Sequence, residues 1–120
     1  MTQQYYEAYV KLVSQLCGRE DYGDKQKVRR HNAAMKKLQV LQMKMCEDLG
    51  HASDAIEQLL ESDCERVRVY IAYFCVEQNL YAEKAADALR DIVKHSDDKM
   101  HRHYAHMALK QHLNEEYRWY

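Results

Sequence analysis

The 120-residue sequence predicts an all-α fold, with about six helices stacked as antiparallel hairpins into a short α-solenoid. Three observations carry that expectation. There is no proline, and the only glycines are Gly18, Gly23 and Gly50, so the residues that most often interrupt helices are nearly absent. Apolar residues recur at three- and four-residue steps along most of the chain, the pattern of helices with one buried face. A Ser-Asp pair recurs 34 residues apart, at Ser62-Asp63 and Ser96-Asp97, and the same offset sets Tyr70 on Tyr104, a period typical of helical repeats.

The elements follow in order. Tyr5, Tyr9, Leu12, Val13 and Leu16 make one stripe, on a helix expected to end near Gly18, with Arg19 to Gly23 as a loop. Asp24 is a good N-cap for the longest helix, lined by Val28, His31, Met35, Leu38, Leu41, Met45 and Leu49, with Gly50 as its expected stop. Ser53 or Asp54 then caps a short helix presenting Ile56, Leu59 and Leu60. Ser62 and Asp63 turn the chain into a helix lined by Val67, Tyr70, Ile71, Phe74 and Cys75. The plan repeats in Ala85, Leu89, Ile92 and Val93, the turn at Ser96 to Asp98, and a last helix carrying Met100, Tyr104, Met107, Ala108 and Leu113. Strand-like alternation is hard to find anywhere. The expected organisation is one domain over residues 1–120, an N-terminal helical hairpin to residue 50 and two repeat-like pairs over 51–116.

Length and composition narrow the function classes. A chain of this size buries roughly two-thirds of its unfolded surface, enough for one core. Eighteen lysines and arginines nearly balance 19 aspartates and glutamates, for a formal charge of -1, which argues against a protein built mainly to coat nucleic acid or anionic lipid. Cys17, Cys46, Cys64 and Cys75 show no C-x-x-C spacing, so a reducing, cytoplasmic location is expected. No stretch reads as a secretion signal or a membrane span.

The segment Leu59-Leu60-Glu61-Ser62-Asp63-Cys64-Glu65-Arg66-Val67-Arg68-Val69-Tyr70-Ile71-Ala72 resembles the centre of a HEAT repeat, in which an apolar pair, an acidic turn and a Val-Arg step open the second helix. With its flanking helices the chain resembles, over roughly residues 5 to 114, the small bacterial HEAT-like family of unknown function DUF2019. It departs from the repeat pattern at Cys64, where proline is usual, and at Tyr70 and Ile71, where smaller residues are usual. The resemblance implies a short HEAT-like array that binds another protein, since small bacterial HEAT-like proteins include immunity partners of secreted toxins. It supplies no catalytic residue, and this fold alone does not fix a function.

Candidate chemistry is sparse. His101, His103 and His106, with His95 upstream, form the densest histidine cluster, but only His103 and His106 share a face and there is no H-E-x-x-H spacing, so no metal site is expected. The four cysteines fall on or beside apolar stripes and read as inert packing. Phosphate-loop, hydrolase-elbow and EF-hand signatures are missing from the sequence, so neither a cofactor nor an enzymatic activity is expected.

Charge distribution says more. Asp24 to Met45 holds seven basic residues (Lys25, Lys27, Arg29, Arg30, Lys36, Lys37, Lys44) and one acidic, whereas Glu47 to Glu65 holds seven acidic residues and neither lysine nor arginine. Helix faces that neutralise one another would account for this, and so would docking surfaces. Ten tyrosines add aromatic surface of the type that dominates binding hot spots; Tyr70 and Tyr104 are expected in the core, while Tyr73, Tyr81, Tyr117, Trp119 and Tyr120 are candidates for exposure. The expected function is stoichiometric binding of a protein, an immunity-type capture of a bacterial toxin domain through Asp54, Glu57, Glu61, Asp63, Glu65, Tyr73 and Tyr81. The alternative is a nucleic-acid-associated accessory role for Lys25, Lys27, Arg29, Arg30, Lys36 and Lys37. That role is disfavoured because no aromatic residue is interleaved among these cations to stack a base.

Overall fold

Six helices and no strand form among the described residues, 2–16 and 23–113, of the computed structural model. They are α1 (Thr2–Ser14), α2 (Lys25–Glu47), α3 (Leu49–Leu60), α4 (Glu65–Gln78), α5 (Ala82–His95) and α6 (Lys99–Leu113). Gly18 and the Arg19 to Tyr22 part of the expected first loop lie outside the described residues. The chain divides into two compact units, with the boundary between Gln58 and Leu59, inside α3.

In the first unit α1 packs on α2. The Tyr5 hydroxyl donates to Asp48 Oδ2 at 2.8 Å and the Tyr9 hydroxyl accepts from Gln42 Nε2 at 3.0 Å, so the two helices run antiparallel. Tyr9, Val13 and Leu16 of the first segment and Ala34, Leu38, Leu41 and Met45 of α2 are buried. Asp24 caps α2 as expected: its carboxylate accepts from the amides of Gln26 at 2.9 Å and Lys27 at 3.2 Å.

The end of α2 differs from expectation. Asp48, not Gly50, breaks the helix, and α3 starts at once, so neither Ser53 nor Asp54 is its cap. The Asp48 carbonyl accepts from the amides of His51 at 3.0 Å and Ala52 at 2.9 Å, which begins α3 and leaves Gly50 in its first turn. No described glycine has a positive φ, and a Cβ added at Gly50 would meet nothing within 4 Å. Its conformational freedom is therefore a cost without a use. Gly50→Ala should stabilise the protein by about 0.5–1 kcal/mol, read as a raised urea midpoint with unchanged m-value.

In the second unit α4, α5 and α6 pack on one another in all three combinations. Contacts from α4 to α6 join Glu65 to His101, Tyr70 to Tyr104 and Tyr73 to Gln111, so these helices run parallel, as alternate helices of an up-down-up arrangement must. Their first residues, Glu65 and Lys99, are 34 positions apart, matching the sequence period. Tyr70 and Tyr104 are half-buried rather than core, their ring centroids 6.2 Å apart. The core positions of α6 are Ala105, Ala108 and Leu109, with Met100 and Met107 only partly covered. Two of these three are alanines, so the larger side chains of α6 lie on the flanks of its buried face. Between α4 and α5, Asn79 (φ 56°) and Tyr81 (φ 48°) take left-handed conformations, and the Leu80 amide donates to the Cys75 carbonyl at 2.8 Å to close α4.

Candidate functional site

α2 buries one stripe, Ala34, Leu38, Leu41 and Met45. Arg29, Ala33, Lys36, Val40 and Met43 recur at alternating steps of four and three on roughly the opposite side, and all five are exposed. Val40 is 53% and Met43 62% exposed, the most exposed large apolar side chains described. Beside them Lys36, Lys37, Val40, Leu41 and Lys44 line a shallow groove of about 350 Å³. No described carboxylate forms an ion pair with Lys36, Lys37 or Lys44. Lys25, Lys27, Arg29 and Arg30 are also exposed, nearer the start of the helix. Sequence reasoning found these cations but missed Val40 and Met43. The available signal was a second apolar set out of phase with the core stripe by half a helical turn.

The acidic candidates divide differently. Asp54 is exposed and Glu57 half-buried, both on α3 within the first unit. In the second unit Asp63 is exposed, Glu61 pairs with Lys84 Nζ at 2.8 Å, and Glu65 faces inward. Glu65 Oε1 accepts from Ser96 Oγ at 2.5 Å and lies 2.6 Å from His101 Nδ1. Ser96 is itself buried, and its Oγ also accepts from the Asp98 amide at 3.0 Å, while Asp98 caps α6 through the amides of Met100 and His101. Two of the five carboxylates are therefore engaged inside the unit, one of them as a tie from the start of α4 to the α5–α6 turn.

Tyr73 is half-buried; its hydroxyl donates to Gln111 Oε1 at 3.0 Å, its ring meets His112 edge-on, and burial, with Glu77 nearby, pushes its pKa up. Tyr81 is 37% exposed at the start of α5. Tyr117, Trp119 and Tyr120 lie outside the described residues.

The cysteines do not all sit in packing. Cys75 is buried and Cys46 half-buried, where burial raises its thiol pKa, but Cys64 is exposed at the N-cap of α4, because it takes the turn position that precedes the helix rather than a place on its stripe. Cys17 lies outside the described residues. Of the histidines, His101 turns toward Glu65 while His103 is exposed, and among the described residues no three His, Cys, Asp or Glu side chains converge to hold a metal ion.

Asp48 gathers a third cluster: His51 Nδ1 lies 2.7 Å from Oδ1 and the Tyr5 hydroxyl bonds Oδ2. The His51 contact, followed by the Tyr5 hydrogen bond, holds the Asp48 carboxyl below its ordinary value of 3.8, while the same carboxylate pushes the Tyr5 phenol up. Because the folded value is depressed, this contribution to stability is present above the unfolded carboxylate pKa and is lost as pH falls through the folded one. Asp48→Asn should accordingly flatten the acid limb of stability below about pH 4 relative to the parent, measured by urea unfolding at stepped pH.

No described helix is long and apolar enough to cross a membrane. No protein-family model matches the sequence, and no curated protein or solved structure is significantly similar to it.

Proposed function

We propose that this chain is a non-catalytic protein-binding module acting by stoichiometric capture in the cytoplasm, and in its most specific form an immunity-type protein that neutralises a cognate bacterial toxin. The outer face of α2 supports the binding role. A helix that already buries one stripe presents a second, with Val40 and Met43 open to solvent between lysines that no described carboxylate neutralises. An exposed apolar strip with a charged rim is the composition of an interface centre and its border. The toxin-directed form rests on the resemblance to the DUF2019 family and on the carboxylates of Asp54, Glu57 and Asp63, which enter no described ion pair. The HEAT-like solenoid belongs to the same proposal: the parallel packing of α4 on α6 at the 34-residue period is the relation expected of equivalent helices in successive repeats.

The decisive experiment is affinity capture of the full chain from its native host, followed by native mass measurement. A single protein partner in a fixed ratio is expected, and for the toxin-directed form, co-expression should rescue cells from that partner. Recovery of nucleic acid in place of a protein would reverse the assignment.

Nucleic-acid association is a second reading, favoured by the exposed cations of α2. Six engaged lysines and arginines would give a log–log salt slope near -5 on duplex DNA. The expectation is instead weak binding, no tighter than about 10 micromolar at physiological salt.

A further inference from the structure

We infer that the outer face of α2 receives an acidic amphipathic helix from the partner protein, lying along the line from Arg29 to Met43. This rests on the protein-binding reading and names the chemistry of what is bound. The alternating four- and three-residue spacing of Arg29, Ala33, Lys36, Val40 and Met43 traces a nearly straight seam about 21 Å long, the footprint of roughly four turns of a second helix. Val40 and Met43 supply apolar contact at one end of the seam, and the neighbouring groove takes an apolar side chain against Leu41.

Charge selects the occupant. Lys37 and Lys44 flank Val40 on one side and Lys36 lies within the seam beside it, and α2 has no acidic residue before Glu47. Glutamates flanking the apolar stripe of an incoming helix would meet these lysines as e and g residues meet across a coiled coil. A second copy of this face would set lysine against lysine, so self-association through α2 is opposed by like charge. Phosphate groups could use the cations but not Val40 and Met43, and α2 carries no aromatic residue to stack a base or seat in a lipid interface.

The test selects binders to the full chain from a displayed library of 20-residue helical peptides. Each peptide has a fixed leucine stripe and flanks randomised among Glu, Gln and Lys. Glutamate-flanked peptides are expected to be enriched. The best of them should weaken at least about tenfold toward Met43→Glu and toward Lys36→Glu/Lys44→Glu, variants at exposed positions whose fold is checked by circular dichroism. The lysine-reversed protein should in turn prefer lysine-flanked peptides, a charge swap that a merely structural effect would not produce.

Enrichment of lysine-flanked or uncharged peptides, no enrichment, or winners indifferent to these substitutions would overturn the inference. So would binding of phosphatidylserine-containing vesicles or duplex DNA, with no peptide selected, that the same substitutions abolish. A partner captured from the host with undiminished affinity by Met43→Glu would sink the α2 assignment yet leave the protein-binding function standing. Failure to capture any protein would count against that function itself.

Discussion

Val67→Asp should abolish the cooperative fold of the second unit under conditions where the parent remains folded. Val67 is 1% exposed on α4, the helix that packs against both α5 and α6. An aspartate there must either stay ionised without a partner or take up a proton at neutral pH, and both outcomes cost more than about 3 kcal/mol. Against a margin of about 5–15 kcal/mol, with the lost valine packing added, most of the stability disappears. Val67→Ala keeps the position apolar and should cost only about 2 kcal/mol, so the pair separates charge burial from cavity formation. Thermal and urea unfolding followed by far-ultraviolet circular dichroism measure both. An aspartate variant that melted like its parent would mean that this face of α4 is not buried.

The second large effect is expected at Glu65. Its carboxylate is the only described acceptor of the Ser96 hydroxyl other than a 3.5 Å contact to the Asp98 carbonyl, and it sits against His101. Glu65→Ala leaves a buried hydroxyl without its short bond and releases the tie between α4 and the α5–α6 turn. Hydrogen bonds to a charged group contribute about 1.5–3 kcal/mol, and the partly exposed carboxylate places the expected loss near 2 kcal/mol. Glu65→Gln, which keeps an acceptor oxygen, should lose about half as much. A double-mutant cycle with His101→Ala should show coupling of the order of 1 kcal/mol, since the two side chains touch. Zero coupling would show that the contact contributes nothing to stability.

These two residues also mark the limits of what the sequence disclosed. Val67 was legible because a helix of the right period needs an apolar residue there, and the same logic located Tyr9, Leu38, Ile56, Leu89 and Ile92, all buried. Glu65 looked like one more member of an acidic run. Its role depends on Ser96 and His101, more than thirty residues away, and no local pattern reports a bond across that separation. Gly50 was misread for the opposite reason. A glycine after an apolar stripe resembles a helix stop, yet Asp48, with its carbonyl starting α3 and its side chain held by His51 and Tyr5, ends the preceding helix two residues earlier. The exposed Val40 and Met43 were obscured because the stripe of Ala34, Leu38, Leu41 and Met45 already accounts for α2 as a helix, and two apolar residues among lysines add no periodicity of their own.

The unequal burial of α2 and α4 bears on how such a protein can diverge. Only four of the 23 residues of α2 are buried, whereas seven of the 14 in α4 are, distributed around its circumference. Substitutions along the outer side of α2 therefore change what the surface presents at little cost to folding, while changes at half the positions of α4 disturb the packing of the second unit. A lineage of such chains could vary the outer surface of α2 quickly and still inherit one scaffold, with α4 as the segment whose spelling drifts most slowly.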